Sequence, residues 1–409
     1  MNISIFTDTY LPKIDGISLS TSRFAELLAE RGHQISICCP RYHDTDIFER
    51  RGNIRIYRFE NAPLPSYPDI KLSLPSGRMI KDAIEGVKAD LIHIQTPGLL
   101  GHYGIFAAGY YRLPVIGTYH TLVSEQGTYI SPYRLLRLDS LIGKIFPQNP
   151  LASIFTNLKN AGEEFFVKPA LFAACNVFYN MSDVIVSPSE SIRNELIRAG
   201  ISRRIEVISN GIDLEKFRGS PKRVDPSRRA LLYTGRLSFE KNCNVLIDAF
   251  RIILDSVPNA TLDFIGEGPA EEELKNRIAE LAIQNSVRFL GLIPHEELPA
   301  LYDQYDLFLT ASTMETQGLA VLEACAMGLP CVAVRERALP DLVQDGINGF
   351  CVDPFSPQQM AEAALSILKD PEKYNAFSSG SIEIASGHDV RACAQRLELL
   401  YSEMASIKK

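Results

Sequence analysis

Two glutamates eight residues apart, Glu315 and Glu323, bound the stretch Glu315-Thr-Gln-Gly-Leu-Ala-Val-Leu-Glu323. The apolar run Leu307 to Thr310 just before it reads as a buried parallel strand. The loop Ser312 to Gln317 therefore falls at a strand's carboxyl end, where open α/β sheets bind ligands. Gly318 lets a ligand approach the backbone, and a helix opening at Leu319 offers unpaired amides and a partial positive charge, which suit a phosphate. At ~1.5 Å rise per residue the two carboxylates stand about 12 Å apart along the helix, roughly the span of a nucleoside diphosphate-sugar. One carboxylate would meet the sugar hydroxyls and the other the ribose. Taken alone, two such glutamates also fit a solvated helix face and a loop charge.

Other groups make the ligand reading coherent. Tyr233-Thr-Gly235-Arg236-Leu-Ser-Phe-Glu-Lys241 follows a strand and places two cations and a glycine in one loop. A forked Arg and a mobile Lys suit a diphosphate, although isolated surface cations are ordinarily just solvated. Phe264-Ile-Gly266-Glu-Gly268-Pro is a second glycine-rich strand-to-helix turn. It lacks the third glycine and wider spacing of a dinucleotide fingerprint, so the signal for a nicotinamide site is weak, and a tight turn near a base or phosphate fits as well. In the first half, His120 follows the strand Val115 to Thr118, and Asp15-Gly16 lies in the loop after the first strand. Asp44-Thr-Asp46 imitates an acidic metal motif but sits in a polar loop after the second strand, in a half with no sign of nucleotide binding, and is read as surface. Both prominent glutamates are assigned to one ligand, so no glycosidase-like pair of nucleophile and acid is formed.

These groups need two sheets to hold them. The 409 residues suffice for two domains, and 46% hydrophobic with 22% charged residues is a globular composition. A net charge of -7 argues against nucleic acid as the main partner. The eight cysteines show no metal spacing, which predicts buried reduced thiols, no metal ion and no cofactor. The N-terminus is too short an apolar run for a signal peptide, and no run of about 18 apolar residues exists, so a cytoplasmic protein is expected, with peripheral attachment to the inner face of the cell membrane left open.

Strands are predicted at Ile3 to Phe6, His33 to Cys39, Ile54 to Phe59, Leu91 to Gln95, Val115 to Thr118 and Asp183 to Ser187, with a helix at Thr21 to Arg31. The charged, proline-broken stretch Gly219 to Arg229 reads as a linker, after which the βαβ rhythm restarts through Pro330 to Val334. The expectation is an α/β chain of two Rossmann-like domains facing a cleft, 1–218 and 219–389. Residues 131–179 stand apart, with eight Phe or Tyr and five Lys or Arg against three acids. Tyr133 to Phe146 in particular suits either an interfacial helix on anionic lipid or a helix packed on the first sheet.

Together these stretches resemble the retaining glycosyltransferases of family 4, which have the GT-B fold. The similarity runs through Thr7-Asp-Thr-Tyr-Leu-Pro with Asp15-Gly16, Thr118-Tyr-His-Thr, Ser187-Pro-Ser, Asn210-Gly-Ile-Asp, Gly235-Arg-Leu with Lys241-Asn, Gly266-Glu-Gly-Pro, and Glu315 to Glu323. The resemblance implies that Glu315 holds the donor sugar and Glu323 the ribose, and that Arg236 and Lys241 bind the diphosphate. It also implies that the amides from Gln317 through Gly318 and Leu319 to Ala320 assist, that Gly16 lets its loop close on the leaving phosphate, and that His120 sits beside the reacting sugar. The resemblance further implies that the C-terminal helix, Val390 to Ile407 within 390–409, crosses back to pack on the first domain, and no metal is implied.

Within that family, Gln317-Gly318, where other members more often have Phe-Gly, is similar to enzymes that glycosylate membrane lipids, namely diacylglycerol glucosyltransferases and sulfoquinovosyl-diacylglycerol synthases. That subset implies a UDP-glucose donor, a lipid acceptor and an anionic membrane surface as partner. The residues after Thr121 match it loosely. A soluble or polysaccharide acceptor, or a nucleotide-sugar 2-epimerase of the same fold, stays open.

Overall fold

The computed structural model describes residues 1–64, 67–74, 76–120, 175–222 and 229–407. Nearly all of the 131–179 stretch, including Tyr133 to Phe146, lies outside them. The chain forms two compact units, one of Met1–Pro188, Arg193–Ile208 and Ala394–Lys409, the other of Ser189–Ile192 and Ser209–Cys393.

The first unit is built on β1 (Asn2–Phe6), β2 (Gln34–Pro40), β3 (Phe48–Arg51), β4 (Ile54–Phe59), β5 (Asn61–Leu64), β6 (Tyr67–Ser73), β7 (Leu91–Ile94), β8 (Val115–Thr118), β9 (Val184–Ser187) and β10 (Arg204–Val207). The hairpin β5–β6 stands aside, and the others order as β10-β9-β8-β7-β1-β2-β4-β3. Every described pairing in this sheet is parallel except β3 with β4. Chain order reverses between β1 and β7, which makes the crevice beyond their carboxyl ends the place where an open sheet receives a ligand. The strands β7, β8 and β9 are buried at every residue, as expected where helices cover both faces.

The second unit carries β11 (Ala230–Thr234), β12 (Thr261–Ile265), β13 (Val287–Phe289), β14 (Leu307–Leu309), β15 (Cys331–Val334) and β16 (Gly349–Val352), ordered β13-β12-β11-β14-β15-β16 and parallel throughout. Its reversal lies between β11 and β14, the two strands that lead into the Arg236–Lys241 and Glu315 loops. Leu231, Leu232, Phe264, Phe308 and Val332 form a core with the inner faces of the Cys243–Ser256 and Pro357–Leu368 helices.

Several elements differ from the sequence reading. The helix predicted from Thr21 begins at Gly16, because Asp15 accepts a hydrogen bond from the Ser18 amide (2.8 Å) and caps it five residues earlier. The strand β3 was not expected; its Phe-Glu-Arg-Arg is paired at the sheet edge, where charge is tolerated. Also beyond the reading are β16 and the helices Pro357–Leu368 and Pro371–Ser386, both opened by a proline in the first turn.

The linker reading fails for its first residues. The Lys222 ammonium donates to the Tyr302 and Tyr305 carbonyls at 3.0 and 3.1 Å, and a side chain on Gly219 would collide with Met327 at 2.4 Å. Phe217 is buried in the same core, so the chain joins the second unit at Ser209 rather than after 218.

Of the C-terminal helix Val390–Ile407, the residues from Ala394 on belong to the first unit. Tyr401 lies 2.6 Å from His93, and Glu398 pairs with Arg31 at 2.8 Å and His33 at 2.7 Å. All eight cysteines are free thiols and all but Cys175 are buried. Among the described residues no helix is long and apolar enough to cross a membrane.

Candidate active site

In the second unit the loops after β11 and β14 are tied together by Asn242, whose left-handed backbone (φ 50°) turns its amide toward both. Its Nδ2 donates to the Glu240 and Ala311 carbonyls at 3.2 and 3.1 Å and to Thr313 Oγ1 at 3.4 Å. That bridge sets Lys241 Nζ 2.5 Å from Glu315 Oε1, each side chain 22% exposed. Burial by itself would raise the Glu315 carboxyl, but the Lys241 cation and the Ser312 hydroxyl outweigh it and leave the group below the ordinary carboxylate range. Burial likewise opposes charge on Lys241, and Glu315 more than restores it. Both are therefore ionised at neutral pH. Glu315 is a hydrogen-bond acceptor for hydroxyls and not a proton donor.

The backbone of this loop is fixed from β15's side: Arg337 Nε donates to the Thr313 carbonyl (3.0 Å) and the Ala338 amide to that of Glu315 (3.4 Å). Gly318 sits at φ 85° as the residue capping the Leu319–Ala326 helix. Gln317, expected at the donor, has its side chain buried instead: its oxygen accepts from the Asn210 amide (3.0 Å) and its nitrogen donates to Ser209. What it can offer a ligand is backbone. Its side chain pins the Glu315 loop to the Asn210-Gly turn.

One turn into the helix, Glu323 is 14% exposed and held at both oxygens, by His295 Nε2 at 2.9 Å and by the Tyr302 hydroxyl at 3.1 Å. Tyr302 is fully buried, with its hydroxyl 2.6 Å from Thr234 Oγ1. Burial first, and the Glu323 charge second, push that phenol well up, so it remains a neutral donor. His295 packs edge-on to Phe217 with ring centroids 5.2 Å apart. Sequence reasoning missed His295, Tyr302 and Asn242. Only Asn242, directly after Lys241, lay inside a quoted motif.

The glycines of this unit have a packing role. A Cβ on Gly266 would lie 2.1 Å from the Gly235 carbonyl oxygen, and one on Gly268 2.2 Å from that of Leu237. Gly235 and Gly266 also hold φ of 144° and 127°. The turn assigned to a base or phosphate thus seats the Gly235–Leu237 loop by backbone contact, with Leu237 N donating to the Glu267 carbonyl at 3.0 Å. Arg236 is exposed on that loop, and its carbonyl accepts from the Tyr233 hydroxyl at 3.1 Å.

In the first unit the crevice between β1 and β7 gathers the remaining candidates. Thr9 Oγ1 donates to Asp15 at 2.6 Å, which holds the loop whose exposed Gly16 opens the helix. Asp8 accepts from Thr96 Oγ1 (2.6 Å) and the Leu100 amide (3.0 Å); burial raises its carboxyl, and these bonds offset only part of the rise. His120 is 9% exposed with Nε2 2.6 Å from Gln95 Oε1, and burial pushes its pKa down to about 4. The acidic motif Asp44-Thr-Asp46 lies in a turn between β2 and β3, its Asp44 fully open to solvent beside His43.

Residues 14–216 match the model of Glycosyltransferase Family 4, and residues 217–383 that of Glycosyl transferases group 1. An alpha-monoglucosyldiacylglycerol synthase of Streptococcus pneumoniae is 29% identical over 90% of this chain and 78% of its own. The Sulfoquinovosyl transferase SQD2 of Arabidopsis thaliana is 25% identical over 94% of this chain and 70% of its own, and a GDP-mannose-dependent alpha-mannosyltransferase of Corynebacterium glutamicum 24% over 100% and 90%. Among solved structures, Anabaena Alr3699/HepE in complex with UDP superposes with a TM-score of 0.72 at 20% identity, over 98% of this chain and 100% of that one. Two parallel Rossmann-like sheets, each with its polar groups at the strand-order reversal, and matches that run through both halves lead to one conclusion: the chain is a glycosyltransferase of family 4 with the GT-B fold.

Proposed function

We propose that the protein transfers glucose from UDP-glucose, with retention at the anomeric carbon, to a hydroxyl of a membrane lipid such as diacylglycerol. The observation that carries the donor half is the ionised Lys241–Glu315 pair at the β11/β14 reversal, one helical stretch from the doubly held Glu323. In this reading Glu315 accepts from the sugar hydroxyls, Glu323 accepts from the ribose, and Arg236, Lys241 and the amides from Gln317 to Ala320 neutralise the diphosphate. Fixed positive charge is then in place where negative charge develops on the leaving group. The leaving diphosphate takes the proton of the incoming hydroxyl, so the nucleophile enters on the face the diphosphate leaves. No metal ion is required. The lipid acceptor is supported by the Gln317-Gly318 motif and by the names of two of the relatives above.

The test is transfer from radiolabelled UDP-glucose to diacylglycerol in anionic vesicles, with UDP-galactose and GDP-mannose as competing donors and free sugar as control acceptor. Label in the lipid phase that vanishes in Glu315→Gln supports the proposal. Label only in soluble product would replace the acceptor, and conversion of the nucleotide sugar with no acceptor present would indicate an epimerase.

A further inference from the structure

We propose that Gln95 is a positioning residue that holds His120 as the Nε2–H tautomer, anchored by His93 on β7, which is itself held by Tyr401 of the C-terminal helix. The inference rests on the reading that places His120 beside the transferred sugar. The Gln95 amide oxygen lies 2.6 Å from His120 Nε2. An amide oxygen has no proton to give, so the bond exists only if Nε2 carries one. The ring is also kept neutral, since burial lowers its pKa to about 4 and the Asp15 carboxylate recovers only part of that. In a neutral imidazole with hydrogen on Nε2 the lone pair is on Nδ1, and His120 is then an acceptor for a hydroxyl proton.

Behind Gln95 the chain of contacts continues into the sheet. Its Nε2 lies 3.2 and 3.3 Å from the two nitrogens of His93, whose Nδ1 is 2.6 Å from the Tyr401 hydroxyl and whose Nε2 is 2.7 Å from Thr118 Oγ1. Gln95, His93, Thr118 and Tyr401 are all buried, so solvent does not compete for these bonds. The titratable groups that face His120 are His93 on β7 and Asp15 on the loop after β1, with Tyr401 one step further, reached through His93. Among the described residues Gln95 joins His120 to this network, and its amide oxygen holds the proton on Nε2.

The experiment is long-range 1H–15N spectroscopy of the full chain labelled at histidine, with His120→Asn to assign the ring, read beside the pH profile of kcat. Wild type is expected to show a protonated Nε2 and bare Nδ1 at pH 7, neutral to below pH 5. In Gln95→Leu the tautomers should mix and kcat should fall about tenfold with donor KM unchanged. Gln95→Glu keeps an acceptor, so the tautomer should be rescued, but its charge should raise the His120 titration and carry the acid limb of kcat up by a unit or so. An Nδ1–H ring in wild type, or a spectrum untouched by Gln95→Leu, overturns the proposal. Should Gln95→Leu not fold, Gln95→Glu decides: a raised titration supports it and an unchanged one overturns it. Spectra that respond as expected while kcat does not would keep the tautomer assignment and instead remove His120 from the sugar site.

Discussion

Lys241 and Glu315 depend on each other. Removing the ammonium in Lys241→Ala leaves a partly buried carboxylate without its cation and, in the proposed reading, the leaving diphosphate without one of its positive charges. Turnover is expected to fall on the order of 10²- to 10³-fold, with the acid limb of the pH profile moving up as the Glu315 carboxyl returns toward the ordinary range. Arg236→Ala should also abolish most turnover, but from an exposed position and with the unfolding midpoint little changed. EDTA should leave wild-type initial rates intact, and a loss reversed by added divalent cation would sink the metal-free mechanism. His295 acts through Glu323. Replacing it with Ala removes one of two donors holding that carboxylate, a loss of about 1 kcal/mol or somewhat more, so donor KM should rise roughly tenfold while kcat stays near wild type. An unchanged KM would mean that Tyr302 alone sets the carboxylate.

The elements that bring these residues together meet through backbone contact that no side chain can enter. Gly266→Ala or Gly268→Ala would drive a methyl into the Gly235 or Leu237 carbonyl. Each is expected to cost on the order of 2–4 kcal/mol, read as a lower urea midpoint, and to weaken donor binding as the Arg236 loop shifts. Gly109 provides the contrast. It lies within the Leu99–Tyr111 helix with nothing within 4 Å of an added Cβ, so Gly109→Ala should stabilise by up to about 1 kcal/mol. Equal effects at both kinds of glycine would contradict the packing argument. Glycine motifs at strand ends thus have two physical meanings, a ligand approaching the backbone or another loop doing so. In this chain Gly266 and Gly268 have the second.

At the scale of the molecule, two buried neutral histidines link stability to pH. Burial lowers His93 to about 3 and His120 to about 4, against an unfolded value near 6.5. The unfolded chain therefore takes up protons first. The stability these groups contribute is complete above about pH 6.5 and is lost as pH falls toward 4, on the order of 2 kcal/mol from each by pH 5. Urea midpoints measured at pH 7.5, 6 and 5 should fall steadily, and a flat series would show that neither ring is held neutral in the folded chain. Below about pH 4.5 the depressed carboxyls of Glu315 and Glu398 add to the loss in the same direction.

The sequence by itself determined the class of fold. Apolar runs such as Val184–Val186 and Leu231–Tyr233 are too short and too continuously apolar to be anything but strands covered on both faces, and their alternation with helices forces parallel sheets. It also marked Lys241, Glu315 and Glu323, because chemistry was expected at strand ends. What only the tertiary structure decided are partnerships between residues remote along the chain. Asn242 reaches Thr313, His295 reaches Glu323, Gln317 turns inward to Ser209, and Tyr401 reaches His93 across 308 residues. Local pattern fixes which face of an element is apolar, but the polar atom that meets a given donor is chosen by the packing of whole sheets and helices, and no spacing in the sequence encodes that choice.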